Sequence, residues 1–283
     1  MYRRIPIGMA VLASALILAH QALAIEWVDY GEVWAPDTGM ISLPCVVVDP
    51  DRFGEAGSDP ATAPLYKMYY SDGIYPECDA VHLATSTDGL SWSFVGAVVS
   101  QAKKPVVVYS AQGFGQGDAK YRMWFTTAGD EESRHQTSSF KMSESVDGLN
   151  WTAPLSCVDA DVETPLLASG NSVAEANAWN RGSYGVLSVL FNPDGAAAID
   201  ADTPMNNRFV MYYNVYGIDP VSEEEGGLAV SSSVAMAVSA DGVAWLRIGE
   251  APVLRGIPSV TGGMVSFADV VNNAGQYVIG VST

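Results

Sequence analysis

The chain of 283 residues carries 32 acidic side chains against 14 basic ones, a formal net charge of -18 at pH 7. So acidic a protein repels nucleic-acid phosphates and anionic lipid surfaces, which disfavours binding to either. Its three histidines and three cysteines lack the spacing of a zinc site, and the sequence predicts no metal and no other cofactor.

Residues 1–24 have the pattern of a secretory signal peptide. Arg3 and Arg4 precede an apolar run from about Ile5 to Ala19, and Ala22-Leu23-Ala24 supplies small residues for cleavage. The run is too short for a spanning helix. The sequence therefore predicts a secreted or periplasmic protein made of residues 25–283, without a membrane anchor. Removal of the two arginines leaves 12 basic against 32 acidic side chains, a net charge near -20.

The first segment after the leader, residues 25–34, contains the spacing Trp27-x-x-x-Gly31. The same spacing returns at Trp92–Gly96 and at Trp245–Gly249, where it lies in the last strand of a repeated unit. We therefore expect residues 25–34 to form an outer strand that belongs to a different unit.

Three copies of one pattern follow along the chain. Each has an apolar strand, a strand that reads aromatic-x-Met-aromatic-aromatic, a polar loop, a third strand, an Asp-Gly turn and a final strand with a tryptophan. Asp-Gly between β-rich runs is a strong hairpin signal. The aromatic strands start at Tyr66, Tyr121 and Phe209, the turns are Asp88-Gly89, Asp147-Gly148 and Asp241-Gly242, and the tryptophans are Trp92, Trp151 and Trp245.

The innermost strand of each unit is predicted over Leu43–Val48, Pro105–Tyr109 and Tyr184–Phe191, because continuous apolar runs indicate strands buried on both faces. A fourth unit starts with Gly263–Val271, turns over residues 272–275 and continues with Gln276–Ile279. Such repeats predict an all-β fold, a β-propeller of four-stranded antiparallel blades. We expect a propeller of the five-bladed type of which residues 25–283 form about three and a half blades, either as part of a longer protein or as an open solenoid.

The topology of such a blade separates the acidic residues by location. The Asp-Gly turns lie at one end, and their aspartates are assigned to the turns themselves. The other end receives the connections between blades and the loops between second and third strands. Its candidate residues are Asp37 and Glu175 for catalysis, and Trp34, Tyr75, His135, Trp179 and Arg181 for substrate binding, with Gln101, Lys103 and Lys104 ahead of blade two.

Acids mixed with aromatic side chains suit a sugar site. Aromatic faces stack on sugar rings, and paired carboxyl groups can act as acid and base. The alternative is that these acids are solvated loop charges. The pattern thus favours a carbohydrate ligand.

The repeats resemble those of the five-bladed propeller glycosidases, namely the family 43 arabinanases and xylosidases with their invertase and levansucrase relatives. The residues that carry the resemblance are 66–70 (YKMYY) and 84–92 (ATSTDGLSW), with similar segments at 121–151 and 209–245. The resemblance covers most of residues 26–283. It implies an aspartate base, a pKa-tuning aspartate and a glutamate acid on successive inner strands, and by position Asp37 is similar to the base and Glu175 to the acid.

Two departures from that family leave the activity open. Residues 105–110 contain no acid where the tuning aspartate is expected, and Asp37 is not followed by proline. The chain is therefore either an exported, inverting glycoside hydrolase of neutral saccharides, a non-catalytic propeller that binds glycan or protein, or a product that does not fold alone. A sialidase-like enzyme is a weaker alternative, because residues 86–92 are one residue shorter than the sialidase Asp box and the mature chain has only seven scattered arginines.

The cysteines Cys45, Cys78 and Cys157 allow two arrangements. In an exported chain they are compatible with one disulfide and one remaining thiol, or with three small buried side chains and no bridge. Their spacing does not choose a pair.

Overall fold

The computed structural model describes residues 30–35, 41–54, 59, 62–72, 80–115, 117–127, 140–160, 182–218, 230–249, 251–255, 267–273 and 276–282. The chain divides into two compact units, Met1–Val33 and Trp34–Thr283, and all described strands lie in the second. Apart from two short 3-10 turns, Arg52–Gly54 and Pro204–Asn206, the regular structure of these residues is β. None of them forms a helix long and apolar enough to cross a membrane.

Blades one and two are four-stranded antiparallel sheets whose strands are in chain order. Blade one consists of β1 (Ile41–Val48), β2 (Tyr66–Asp72), β3 (Ala80–Ser86) and β4 (Trp92–Ser100). Blade two consists of β5 (Ala102–Tyr109), β6 (Tyr121–Thr127), β7 (Phe140–Ser145) and β8 (Leu155–Ser156). The predicted fold class, all-β with four-stranded antiparallel blades, is confirmed.

Blade three contains one pairing that the repeat does not predict. Its antiparallel strands are β10 (Gly182–Phe191), β11 (Phe209–Ile218), β12 (Val230–Ser239) and β13 (Ala244–Ile248). The short β9 (Val158–Asp159), which follows blade two directly, pairs in parallel with β13, and β14 (Leu254–Arg255) pairs with β12. Blades two and three are therefore linked through their outer strands as well as through their faces.

The fourth sheet is a hairpin of β15 (Phe267–Asn273) and β16 (Gln276–Ser282). Asn273 pairs with Gln276, so the connection is two residues shorter than the turn predicted over 272–275. The inner strands β1, β5 and β10 each begin two or three residues earlier than predicted, because residues ahead of the apolar runs still pair with the second strand.

Alternate residues of the second strands face different blades, as the two-residue period of a strand requires. Met123 and Phe125 pack with Tyr69 of blade one, whereas Trp124 packs with Trp245 of blade three. All these side chains are fully or almost fully buried. A strand that is apolar on both faces is thus the natural centre of a blade stacked between two others.

Each Asp-Gly turn is closed by its own side chains. In the first copy, Asp88 Oδ1 accepts hydrogen bonds from the backbone N–H groups of Ser91 at 2.7 Å and Leu90 at 2.8 Å. Ser86 Oγ donates to the same carboxyl group, and these bonds lower the pKa of Asp88 to about 2. Equivalent bonds form at Asp147 and Asp241. The prediction that these aspartates serve their turns is confirmed.

A second set of hydrogen bonds joins the turns at Asp147 and Asp241 to the preceding blade. Lys67 Nζ donates to the carbonyl of Asp147 at 2.9 Å, and Tyr69 Oη donates to the carbonyl of Gly148 at 3.0 Å. We call this pair of contacts the blade clasp. The next blade repeats it, with Arg122 Nη1 donating to the carbonyl of Asp241 at 2.6 Å and Trp124 Nε1 donating to that of Gly242 at 2.8 Å. The clasp uses the second and fourth positions of the aromatic strands β2 and β6.

The corresponding positions of blade three are Val210 and Tyr212. Their side chains pack in a separate hydrophobic cluster, whereas those of Lys67 and Tyr69 contact the turn of the next blade. The side chain of Val210 has no polar group, and the hydroxyl of Tyr212 contacts Met205 Sδ at 3.8 Å. Met205 and Ile199 come from the segment between β10 and β11 and pack on this cluster. That segment therefore covers the place where the clasp lies in the other two blades.

Candidate functional site

The end of the blades opposite the Asp-Gly turns is lined by a polar position that recurs in the repeat. We call this the connection end, because the blade-to-blade connections lie there. The sixth residue of each aromatic strand is polar, and all three side chains are buried: Ser71, Thr126 and Asn214. In the sheet register they stand opposite residues near the start of the inner strands, namely Ser42, Lys103 and Gly185.

The inner strands have a β-bulge at this same point. The register shifts between Ser42 and Cys45 in β1, between Lys103 and Val106 in β5, and between Ser183 and Gly185 in β10. Leu43 and Lys104 lie within their bulges and have positive φ values of 52° and 57°, and Gly185, which borders the bulge of β10, has a φ of 153°. Bulges re-aim side chains and are frequent beside binding sites.

Lys104 connects all three blades at the connection end. Its backbone N–H donates to Ser71 Oγ of blade one at 2.8 Å. A Cβ atom added to Gly185 of blade three would lie 2.7 Å from Lys104 Cδ and 3.3 Å from Thr126 Oγ1. The lysine side chain therefore runs across the face of Gly185, and glycine is needed there both for φ and for space.

The chemistry of this region is cationic and polar. Lys103 is 4% exposed and Lys104 is half-buried. Thr126 is fully buried, and its Oγ1 has no hydrogen-bond partner within the described part of the chain. Among the residues that the structure describes, no group of three or more His, Cys, Asp or Glu side chains could hold a metal ion.

An aromatic group lies on the flank of blade one near the same end. Trp34 packs edge-on against Tyr70 with 5.3 Å between ring centroids, and Tyr70 stacks on His82 at 5.6 Å. His82 Nε2 is 3.8 Å from Asp72 Oδ2, while its Nδ1 is buried without a partner. Burial, together with the Asp72 charge, raises the pKa of Tyr70 to about 12.

Of the seven predicted site residues, Trp34 is the one that the described residues include. It is half-buried and packs in a cluster with Met68, Tyr70 and Ala84, so at least part of its ring serves the core of blade one. The predicted residues outside the described ranges are Asp37, Tyr75, His135, Glu175, Trp179 and Arg181. Their roles, and the pairing of Asp37 with Glu175, stay predictions.

The repeat pattern places Lys104 at this end without a role, and it indicates no role for Ser71 or Thr126. A signal for the last two was available, because the sixth position of each aromatic strand is polar after five largely apolar residues. The bulge at Lys104 has no comparable signal, since a residue before proline is expected to be extended.

Two of the cysteines have defined environments. Cys157 is fully buried, and burial raises the pKa of its thiol to about 12, so it is a poor nucleophile. Cys45 Sγ accepts a hydrogen bond from the backbone N–H of Val107 at 3.2 Å and lies 3.6 Å from the carbonyl of the same residue. Cys78 lies outside the described residues.

Neither a protein-family model nor a curated protein matches the chain. Solved structures do match it. A complex of BT0996 with RGII superposes with a TM-score of 0.51 at 18% sequence identity, and the match covers 76% of this chain and 61% of that one. A structure described as a glycoside hydrolase gives a TM-score of 0.51 at 17% identity, with the same coverage of both chains.

The fold is that of the propeller glycoside hydrolases. The resemblance inferred from the repeats is thereby confirmed at the level of fold. The chain spans 61% of the length of these two structures, and at such low identity the likeness concerns the fold alone. One fold can carry many functions, so the activity has to be argued from the site.

Proposed function

We propose that this protein is an exported glycoside hydrolase that acts on neutral oligo- or polysaccharides. The observation that carries the proposal is the propeller fold combined with a polar, bulged connection end, where we expect the inner strands to present side chains to a ligand. Asp37 precedes the inner strand of blade one and Glu175 precedes that of blade three. These two acids are the proposed catalytic pair.

In the proposed reaction, Glu175 protonates the leaving glycosidic oxygen and Asp37 activates a water molecule on the opposite face of the sugar. Water has to fit between the two groups, so this inverting mechanism requires carboxyl groups about 6.5–9.5 Å apart. Trp34, Tyr75 and Trp179 are proposed to contact the sugar rings, and His135 and Arg181 to bind hydroxyl groups. No cofactor takes part.

The test is hydrolysis by the wild type and by the variants Asp37→Asn and Glu175→Gln. Each variant should lose at least about a hundredfold in rate, the usual contribution of a general acid or base. Asp194→Asn is the matched control, because Asp194 is an exposed acid in the turn after β10 at the opposite end. Unchanged hydrolysis in both variants would reject the pair, and the anomer released first, observed by NMR, tests inversion.

A second candidate is a glycan-binding propeller without catalysis. It is favoured by one observation, namely that Lys103 and Lys104 lie at the start of the inner strand of blade two, while residues 105–110 contain no acid where the resemblance implies one. Binding on a glycan array without release of sugar from any bound glycan would select this candidate. Export is tested separately, by a mature N-terminus at residue 25 in mass spectrometry of the secreted protein.

A further inference from the structure

Lys104 has a backbone that is unfavourable for its residue type. A φ of 57° is uncommon for a residue other than glycine, and here it occurs in a bulge directly before Pro105. Such conformations persist where the surrounding structure fixes them, and they cluster at ligand sites. The equivalent residue of blade one, Leu43, shows that the bulge itself does not require a charge.

The surroundings of Lys104 provide a cradle for its side chain. Gly185 leaves the space that the lysine stem crosses, and Ser71 Oγ holds the lysine backbone. Thr126 Oγ1 lies beside the same glycine and is buried without a partner. A buried hydroxyl without a partner requires an explanation, and a ligand or a ligand-bound water that completes the site is one.

A lysine at this point changes which ligands the site can accept. The ammonium group offers three donors, so it can bind an anionic ligand while it keeps a contact within the protein. The overall negative charge of the protein repels ligands that are densely anionic. Together these features fit a saccharide with an isolated acidic group rather than a polyanion.

We propose that the connection end of blade two binds the anionic group of an acidic sugar residue, with Lys104 as the charged donor. This inference rests on the proposed function and refines its substrate class. The substrate is then a largely neutral glycan that carries a carboxylate or a sulfate on a residue next to the one cleaved. Either anion presents the oxygen acceptors that an ammonium group binds.

The experiment measures binding of short oligosaccharides to the whole protein by calorimetry. A neutral oligosaccharide that carries one uronic acid residue and the methyl ester of the same compound form a matched pair, because esterification removes the charge and keeps the sugar. An oligosaccharide of the same length that carries one sulfate is the third probe. The variants are Lys104→Met, which keeps the stem over Gly185, and Lys104→Arg, which keeps the charge. Lys120→Met is the control, since Lys120 precedes β6 at the opposite end of the same blade.

The wild type should bind the free acid at least about tenfold more tightly than its ester, as expected for hydrogen bonds to a charged group. Lys104→Met should remove this preference, while Lys104→Arg and Lys120→Met should retain it. A preference for the sulfated probe that also depends on Lys104 supports the inference with sulfate as the anion.

Equal binding of acid and ester by the wild type, with no preference for the sulfated probe, would overturn the inference, and this comparison needs no variant. So would an anion preference that survives in Lys104→Met. Lys104-dependent binding of the acid without any hydrolysis would reject the proposed activity and leave this inference standing.

Discussion

Replacement of Lys67 tests whether the blade clasp stabilises the fold. The lysine side chain is 2% exposed, and Nζ donates to the carbonyl of Asp147 and to the hydroxyl of Tyr121, each at 2.9 Å. The ammonium also lies 4.4 Å from the centroid of the Phe53 ring. Lys67→Met removes the charge and both hydrogen bonds while it keeps most of the stem volume.

The change in the free energy of unfolding in Lys67→Met is the sum of opposing contributions. Two charge-assisted hydrogen bonds contribute about 1.5–3 kcal/mol each, and the cation–π contact adds about 0.5–2 kcal/mol. Against these stands the desolvation of a buried ammonium, which costs several kcal/mol and is recovered in the variant. The expected net loss in the free energy of unfolding is about 1–3 kcal/mol.

Urea unfolding of the variant and the wild type measures this loss. The control is Lys120→Met at the half-exposed Lys120, which should change the free energy of unfolding by no more than about 0.5 kcal/mol. A double-mutant cycle of Lys67→Met with Tyr69→Phe should show coupling, because both donors serve the same turn. If Lys67→Met is no less stable than the control variant, the clasp does not stabilise the fold.

Three further predictions concern the turns and the buried tyrosines. Gly148→Ala should destabilise the fold strongly in urea unfolding, because the new Cβ would lie 2.5 Å from Tyr69 Oη. The control Gly117→Ala has nothing within 4 Å of its Cβ, so it should lose only about 1 kcal/mol to backbone strain. Burial raises the pKa of Tyr69 and Tyr213, so as pH rises both tyrosines ionise in the unfolded chain before they ionise in the folded one. The free energy of unfolding should therefore fall as pH rises above about 10, and the phenolate absorbance of these two tyrosines should appear only on unfolding. The depressed pKa of Asp88 contributes stability that is present above about pH 4 and lost as pH falls towards 2, and Asp88→Asn should flatten that part of the pH dependence of urea unfolding.

The strands and turns could be predicted because their signals are local. The aromatic strands at Tyr66, Tyr121 and Phe209 and the Asp-Gly turns lie where the sequence places them. The clasp could not, because the lysine of one blade meets a carbonyl 80 residues away and the arginine of the next meets one 119 residues away. Only the tertiary arrangement brings such groups together.

The candidate site was less predictable than the fold, for a related reason. Its chemistry depends on how a bulge aims Lys104, and a positive φ before Pro105 runs against the local preference of the sequence. The parallel pairing of β9 with β13 was likewise outside an antiparallel repeat. Composition and spacing indicate the end of the blade where we propose that a ligand binds, but the side chains that lie together there are set by backbone irregularities.

One strand of the repeat supports both the stability and the site, at separate positions. In β6, Arg122 and Trp124 clasp the turn of blade three, while Thr126 lies at the connection end, beside the bulges. Because the clasp is at one end, the other end can hold strained or unsatisfied groups, such as Thr126 Oγ1, without loss of blade packing. The residue at position 104 can therefore change while the fold stays the same, which is why fold similarity alone leaves the ligand undetermined.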